Sequence, residues 1–432
     1  MKKLWSWLAT AAVALPLAQA HAGWNATVLH VFAGRPDGAA PMAGLLADRA
    51  GNLYGTTMEG GAHQAGTVFM LKPPARGKTF WTETVLHSFA AAEGGDTPDA
   101  PLISDSAGHL FGTTTRGGAH NAGTVFELAP PAAGGTAWTV KVLYAFQTAN
   151  PPLNQAPLAQ DASGNLYFAA SPNGASCLNG CGVVIKLTKP AGGTGFWKAA
   201  TIYRFSDGTK TGSYPQGGVV VDKAGNVYGT TQIGGGFGNP FGYGVAFALT
   251  PPTGGQAMWN ETVLYRFQGG QDGAAPSAGL ILGAAGNLYG TTAAGGGGPC
   301  TISIFTGCGT VFRLTPPAAA QAAWTETVLH RFTGHDGANP QADLTFDTAG
   351  NLYGTTMAGG ASKTSTVFTL TRPASRDGLW SETILHRFAS PSDSAAPGLN
   401  PGVALGKAGQ VYGTTLAAGK DSAGTVFELT QP

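Results

Sequence analysis

The sequence predicts an all-β protein, a seven-bladed β-propeller with four-stranded blades, and two observations carry this prediction. A unit built around Gly-Asn-Leu-Tyr-Gly-Thr-Thr recurs about every 60 residues, as in propeller and solenoid arrays. Each unit also contains four short β-type segments separated by Gly, Pro and Asp. Radial closure of such units leaves only short, protected sheet edges. The units are marked by Gly51, Gly108, Gly164, Gly225, Gly286, Gly350 and Gly409.

The four segments of each unit can be assigned to strands A to D of a blade. In the first unit, strand A covers residues 41–48, strand B 52–57 and strand C 66–71, and a Trp-initiated segment is strand D. In the second D segment, Trp81, Glu83, Val85, His87 and Phe89 alternate with other residues, which predicts that they share one face. The chain opens with a lone D segment, 24–32, and closes with an A-B-C set, 401–429. We therefore expect the N-terminal strand to join the last blade and close the ring.

The N-terminus has the pattern of a secretory signal peptide. Residues 1–22 combine two lysines, an apolar run and small residues at candidate cleavage sites, so residues 23–432 are predicted to form a single propeller domain. The apolar run is too short to span a bilayer and no second one follows, so we expect no transmembrane segment. The protein is predicted to be secreted or periplasmic, and to be a monomer.

Composition excludes one class of partner. The chain has 24 basic and 23 acidic residues, and it lacks the basic excess that binding to a phosphate backbone requires. Charged residues make up 11% of the chain, and 67 residues are glycine, as expected for tightly turned β-structure. No nucleic acid partner is expected.

The four cysteines form two close pairs, Cys177/Cys181 and Cys300/Cys308. Export to an oxidising compartment favours local disulfides, while a zinc site built from all four thiolates is the alternative. We favour the disulfides, because the spacings do not match zinc knuckles and the two pairs lie in repeats that a ring would not place side by side.

Three consecutive repeats have longer B–C connections than the others. The distance from the Gly-Asn core to the Gly or Ser that opens strand C is 15 residues in repeats one, two, six and seven, but 18, 19 and 23 in repeats three, four and five. We call residues 171–182, 232–244 and 293–309 the loop wall. Rigid loops on a scaffold commonly present binding groups, and aromatic faces mixed with amides suit sugars. The candidate ligand-binding residues are Asn173, Asn179, Phe237, Asn239, Phe241, Tyr243 and Phe305. The alternative is that these aromatic rings pack the long loops against each other.

Candidate catalytic and metal-binding residues are weaker. His63 and His120 occupy matching positions in the first two B–C loops, and Glu59 lies near the first, so they could supply acid–base chemistry; solvated loop residues are the alternative. Histidines recur in the D strands, but tyrosine takes the same position in three consecutive repeats, which favours structural hydrogen bonds. We expect no metal centre and no cofactor. Ca²⁺ bound at the Asp-Gly turns of the D–A loops is kept as an alternative.

These motifs, in register through seven repeats from Trp24 to Leu429, resemble the tandem-repeat GloVer family of exported bacterial proteins. The resemblance implies secretion and a propeller-like array, and it carries no chemistry that can be transferred to individual residues. The leading functional hypothesis is a binding module for an extracellular glycan or protein. The alternatives are a lyase, lactonase or glycosidase, and a structural component of the envelope or matrix. The repeat has breaks, notably Phe168-Ala169-Ala170 in place of Gly-Thr-Thr, and they are expected to be apolar, which argues against charged catalytic groups converging on the axis.

Overall fold

A computed structural model describes most of residues 23–431. The described residues are 23–91, 94–133, 135–147, 156–171, 182–193, 195–205, 210–236, 241–253, 258–318, 323–359, 365–375, 378–388, 402–416, 418–419 and 422–431. The predicted signal peptide lies outside them and stays a prediction.

The secondary structure is almost entirely β. The strands of the first three blades, preceded by the first strand of the chain, are β1 (Asn25–Val31), β2 (Leu46–Ala47), β3 (Leu53–Thr57), β4 (Thr67–Lys72), β5 (Thr82–Ser88), β6 (Ile103–Ser104), β7 (Leu110–Thr114), β8 (Thr124–Ala129), β9 (Thr139–Ala145), β10 (Ala159–Gln160), β11 (Leu166–Ala170), β12 (Val183–Thr188) and β13 (Lys198–Arg204). Blades 4 and 5, with the short strands of their loops, contain β14 (Val220–Val221), β15 (Val227–Thr231), β16 (Val245–Thr250), β17 (Asn260–Arg266), β18 (Gly273–Ala274), β19 (Ile281–Leu282), β20 (Leu288–Thr292), β21 (Ala294–Gly295), β22 (Thr301–Ile302), β23 (Phe305–Thr306), β24 (Thr310–Thr315) and β25 (Thr325–Arg331). The last two blades contain β26 (Thr345–Phe346), β27 (Leu352–Thr356), β28 (Thr366–Thr371), β29 (Ser381–Arg387), β30 (Ala404–Leu405), β31 (Val411–Thr415) and β32 (Thr425–Thr430). Two 3-10 turns cover Ala191–Gly193 and Ala284–Gly286.

Seven four-stranded antiparallel sheets form the blades of the predicted propeller, each in the order A-B-C-D. The ring closes as predicted, because β1 pairs antiparallel with β32 and supplies strand D of blade 7. The hydroxyl of Thr414 in blade 7 also donates to the carbonyl of Ala43 in blade 1, at 3.1 Å. The first and last strands are therefore paired within blade 7, and a hydrogen bond joins blade 7 to blade 1.

An aspartate organises the turn between strands A and B, as the sequence predicts. Asp48 Oδ1 accepts the backbone N–H groups of Ala50 and Asn52, and Oδ2 accepts the Asn52 amide at 2.7 Å and the Tyr54 hydroxyl at 3.1 Å. Burial alone would raise the pKa of Asp48, but these hydrogen bonds outweigh it and lower the pKa. Asp161, Asp222 and Asp347 make the same set of bonds. These carboxylates are structural.

Aromatic side chains join neighbouring blades across each interface, which we call a seam and number by its two blades. A strand-D Trp packs edge-on against the strand-B Tyr of the preceding blade, as Trp81 does against Tyr412 at 5.8 Å. A buried Phe after strand D packs against the strand-C Phe of the next blade, as Phe332 does against Phe368 at 5.2 Å. The constant spacing between Trp and Phe within each repeat thus places one ring at each of two neighbouring seams.

The apolar break in repeat three is an exchange between two strands. In the other blades a strand-B glycine lies opposite a strand-C phenylalanine; a Cβ on Gly55 would lie 2.5 Å from Cζ of Phe69. In blade 3, Phe168 takes the glycine position and Ile185 the phenylalanine position, again directly opposite each other. Both are buried, and Phe168 packs against Phe146 at 5.7 Å. The core is therefore filled from strand B here.

A β-bulge in strand D interrupts the alternation that the sequence predicts for this strand. The register with strand C shifts by one residue in all seven D strands; in blade 1, Val85 lies opposite Phe69 while His87 lies opposite Val68. The extra residue, Leu86, reverses the alternation. His87 and Phe89 therefore do not share a face with Glu83, and the prediction of one common face was wrong. The end of each D strand is turned toward the next blade.

Candidate functional site

The B–C and D–A loops lie on the same face of the ring and pair with each other. Isolated bridges join Ala39 to Glu59 and Ser213 to Ile233, and in blade 5 the pairing extends to the two-stranded sheet of β18 and β21. We call this side the loop face. It is the side on which the sequence places the loop wall.

The blade 5 segment of the loop wall is closed by a disulfide. Cys300 and Cys308 are bonded, with a Cα–Cα distance of 4.8 Å, and they flank the hairpin of β22 and β23. This confirms the local pairing predicted for these two cysteines. Disulfides persist in oxidising compartments, which supports a location outside the cytoplasm. Cys177 and Cys181 lie outside the described residues.

The described aromatic candidates differ in exposure. Phe305 is 6% exposed and packs among alanines of the blade 5 loops, whereas Phe241 is 36% exposed. Tyr243 is half-buried, with its ring 6.1 Å from that of Phe305 and directly over Gly269 of the D–A loop. The loop segments of blades 4 and 5 thus pack together through Tyr243 and Phe305, and Phe241 is the most exposed of the three. Asn173, Asn179, Phe237 and Asn239 lie outside the described residues, and a ligand role for all seven residues stays a prediction.

A cavity of about 140 Å³ lies on the propeller axis, lined by residues from all seven blades. The lining residues directly precede the A strands, so the cavity lies toward the loop-face end of the axis. Glycine, proline and small or aliphatic residues make up most of the lining, and its polar side chains are Gln216, Ser277, Asp343 and Thr345. Such a cavity resembles ligand sites in being mainly apolar with a few polar groups.

Asp343 is the residue that sequence reasoning missed. Its Oδ1 accepts the Gly279 N–H at 2.6 Å, a bond from blade 5 to blade 6. The Asp343 side chain is half-buried at the wall of the cavity, and burial of its carboxyl raises the pKa. Alignment of the repeats gives the signal, because the equivalent residues are Gly44, Pro101, Pro157, Gly218, Gly279 and Gly402. The breaks in the repeat are therefore not all apolar.

The histidine candidates for catalysis are on the loop face but do not form a constellation. His63, His120 and Glu59 are all exposed. Within the described part of the chain, no hydrogen bond joins any two of them. Their catalytic role stays a prediction without support from a shared geometry.

Three of the D-strand rings, those of His30, Tyr265 and His330, form hydrogen bonds to the Asp of the following D–A loop. The distances are 3.2 Å for His30 to Asp37, 3.2 Å for His330 to Asp336 and 3.1 Å for Tyr265 to Asp272. Each of these carboxylates also accepts a backbone N–H within its turn. These three rings thus make the hydrogen bonds that the sequence favours and help to stabilise the Asp-Gly turns, whereas Nε2 of His87 has no hydrogen-bond partner among the described residues.

Four seams also contain a half-buried glutamate from strand D of the following blade: Glu83, Glu261, Glu326 and Glu382. Burial, the largest cause, raises the pKa of each to about 7. For Glu326, the charge of Asp272 adds to this effect and that of Arg331 opposes it.

The fold and the loop face define a seven-bladed β-propeller with a disulfide-closed loop and an axial cavity on the same face. A family model described as Gloeobacter/Verrucomicrobia repeat matches residues 19–239 and 175–427. The chain therefore belongs to the Gloeobacter/Verrucomicrobia repeat family, which confirms the resemblance seen in the sequence. A comparison with curated proteins found no match.

Solved structures with a similar fold have low sequence identity. Polysaccharide lyase Uly1 is 12% identical with a TM-score of 0.46, over 93% of this chain and 91% of that one. A putative gluconolactonase is 14% identical with a TM-score of 0.41, over 95% and 93%. A protein of unknown function from Dyadobacter fermentans is 12% identical with a TM-score of 0.45, over 95% and 100%. At these values the likeness carries no information about activity.

Among the described residues, no helix is long and apolar enough to cross a bilayer.

Proposed function

We propose that the protein is a secreted binding module that engages an extracellular glycan through its loop face. The observation that carries this proposal is the combination of a disulfide-closed loop wall, a partly exposed aromatic ring at Phe241 and the axial cavity on the same face. The predicted leader and the Cys300–Cys308 bond both support export.

The chemistry of this face suits a neutral polymer of hydroxyl groups. Phe241 and the accessible edge of Tyr243 offer apolar faces for stacking on sugar rings, and Gln216 and Asp343 offer hydrogen-bonding groups at the axis. The loop-face residues are held by backbone bonds, since Phe241 O accepts the N–H of Gly234 and Tyr243 O accepts that of Ala275. Pre-ordered groups lose less entropy on binding. Phe305 has the complementary role of holding the two loops together.

The test is calorimetric titration of the mature chain, residues 23–432, with a panel of neutral oligosaccharides, using three alanine variants. Phe241→Ala is expected to weaken binding at least about tenfold, or about 1.4 kcal/mol, without changing the thermal midpoint. Phe305→Ala is expected to lower the midpoint, because the residue is buried. Phe196→Ala, at a fully exposed ring on the connection between strands C and D of blade 3, is the matched control for loss of an aromatic surface.

Unchanged affinity in Phe241→Ala would contradict the proposed contact. Binding to no oligosaccharide, with retention of an extracellular protein instead, would transfer the same face to a protein partner. No ligand of either kind would favour the structural alternative.

One observation favours an enzyme as the second candidate. Asp343 is a carboxyl with a raised pKa inside a cavity, the setting of many general acids. Product analysis of each oligosaccharide that binds separates the two functions. Turnover that is lost in Asp343→Asn while binding remains would establish the enzyme, and binding without product would establish the binding module.

A further inference from the structure

Seam 5–6 brings a histidine and two carboxylates from different parts of the chain together. His330 belongs to strand D of blade 5, Asp336 to the D–A loop that follows it, and Glu382 to strand D of blade 6. Their ligand atoms all lie within 4.8 Å of one another. We propose that these three residues bind a divalent transition-metal ion of the zinc class that links blades 5 and 6.

The strand-D bulge makes this grouping possible. Val328 lies opposite Phe312 of its own sheet, but His330 lies opposite Val311, so the bulge at Leu329 turns the histidine toward blade 6. Glu382 lies opposite Leu370, before the bulge of its own strand, and faces back toward blade 5. Without the bulge the imidazole and the Glu382 carboxyl would not face the same seam.

Two of the three groups are already oriented by their neighbours. Thr333 donates its backbone N–H and its hydroxyl to Asp336 Oδ1, at 2.7 and 2.9 Å, which leaves Oδ2 directed at His330 Nε2, 3.2 Å away. The His330 ring is fixed edge-on against Phe332, at 4.7 Å. Outer contacts of this kind commonly hold metal ligands in place. An ion would replace the hydrogen bond between His330 and Asp336.

Glu382 supplies the reason for a cation. Its Oε1 is buried and has no hydrogen-bond partner among the described residues, which is also true of the other three seam glutamates. At Glu382 the carboxylate in addition lies within 4.8 Å of the ligand atoms of His330 and Asp336. Two close carboxylates repel each other, and an unpaired buried one is costly. The guanidinium of Arg387 favours the ionised form of Glu382 from a distance while donating to the carbonyl of His335. A bound cation would satisfy both carboxylates at once.

The other seams show that packing does not require this glutamate. The equivalent D-strand residues at seams 1–2, 2–3 and 6–7 are Val140, Ala199 and Ala26. Seam 4–5 has the glutamate and the aspartate but a tyrosine in place of histidine. Seam 7–1 repeats the residue types of seam 5–6 with His30, Asp37 and Glu83. Packing of a seam therefore does not require the glutamate, and at seam 5–6 its carboxylate lies within 4.8 Å of the ligand atoms of both His330 and Asp336.

One imidazole with two carboxylates is a mixed nitrogen and oxygen donor set, which suits Zn²⁺ and similar ions. His330 Nε2 and Asp336 Oδ2, 3.2 Å apart, already have a separation that suits two ligands at about 2.0–2.2 Å from one ion, so binding requires the Glu382 carboxylate to approach this pair. Asp336 lies in the same turn as Gly334, and a Cβ on that glycine would be 3.4 Å from the Cys300 sulfur. The ion would thus also support the disulfide-closed loop. This inference stands whatever the loop face binds.

The test is titration of the chelator-treated mature chain with Zn²⁺, followed by calorimetry and by metal analysis after dialysis. Two variants remove the site: Glu382→Gln, and His330→Tyr, which gives seam 5–6 the residue set of seam 4–5. Glu326→Gln at seam 4–5 is the matched control, because it removes an equally perturbed glutamate that has no histidine partner.

The native chain and the control are expected to bind one more equivalent of Zn²⁺ than either site variant. At a hundredfold excess over the dissociation constant, Zn²⁺ is expected to raise the thermal midpoint of the native chain and the control by about 2–4 °C more than that of the site variants. Seam 7–1 is intact in every variant, so it cancels in the comparison. Equal Zn²⁺ stoichiometry in Glu382→Gln and the native chain, or no uptake by the native chain, would overturn the proposal.

Discussion

The exchanged pair in blade 3 can be restored to the arrangement of the other blades. Phe168→Gly combined with Ile185→Phe gives strands B and C of blade 3 the Gly/Phe pair that faces across blade 1 at Gly55 and Phe69. Phe168→Gly alone leaves a cavity in the core, whereas Ile185→Phe alone overpacks it. The pair therefore tests whether the two residues are one packing unit.

The magnitudes follow from burial and contact. Phe168 is fully buried, and its removal leaves a cavity and a glycine in a strand, at a cost of about 4 kcal/mol or more. Ile185→Phe alone puts a second ring where a ring normally lies over a glycine, because the Gly55 Cβ position is 2.5 Å from Phe69. This overpacking costs about 1–3 kcal/mol. If the sites were independent, the double variant would lose about 5–7 kcal/mol.

We expect the double variant to recover at least about 2 kcal/mol of that sum, because the new ring fills the space left by the old one. The free energies of unfolding come from urea denaturation of the native chain, both single variants and the double variant. A double variant whose loss equals the sum of the single losses within about 0.5 kcal/mol would refute the reasoning.

Two further predictions concern the seams and the loop wall. Burial raises the pKa of Glu326 from 4.5 to about 7, so the protonated carboxyl contributes stability below pH 4.5 that is lost as the pH rises through 7. Glutamine cannot ionise, so Glu326→Gln should be more stable than the native chain at pH 8. The urea midpoints of the two proteins should converge below pH 4.5. The full pKa shift corresponds to about 3 kcal/mol in the free energy of unfolding, and partial exposure of the side chain reduces the expected gain in Glu326→Gln to about 1–2 kcal/mol. A difference in stability that stays constant between about pH 4.5 and pH 8 would contradict the burial argument. Replacing Cys300 and Cys308 by serine should lower the local stability of residues 293–309 by about 2–3 kcal/mol, because a short loop is no longer closed. Hydrogen exchange in that loop measures the change, and unaltered protection there would show that packing around Phe305 alone holds it.

The blade count, strand order and ring closure could be predicted because they depend on period. The lone strand 24–32 and the final A-B-C set leave one way to complete seven blades, and the pairing of β1 with β32 follows. The Asp48 turn was predictable for a similar reason, since its bonds are local in sequence.

Features that depend on register were not predictable from one repeat. The bulge at Leu86 leaves no mark in the alternation of residue types, because both faces of strand D are partly apolar. The grouping of His330 with Glu382 depends on the equivalent bulge at Leu329 and on a residue of the neighbouring blade, 52 residues further along the chain. Asp343 is distinguished only by alignment of the seven A segments, because the other six have glycine or proline at this position. Within one repeat it resembles the turn aspartate that follows it.

The pairing of β1 with β32 sets the order in which the ring can be completed. Six blades are built from strands that are neighbours in sequence, so they can form from short-range contacts. Blade 7 needs segments from opposite ends of the chain, and the bond from Thr414 to Ala43 spans 371 residues. Contacts of such long range form late, because the loop that must close is nearly the whole molecule. A partly synthesised chain can therefore contain folded blades and still be an open arc, and the ring closes only after the last strand has been made.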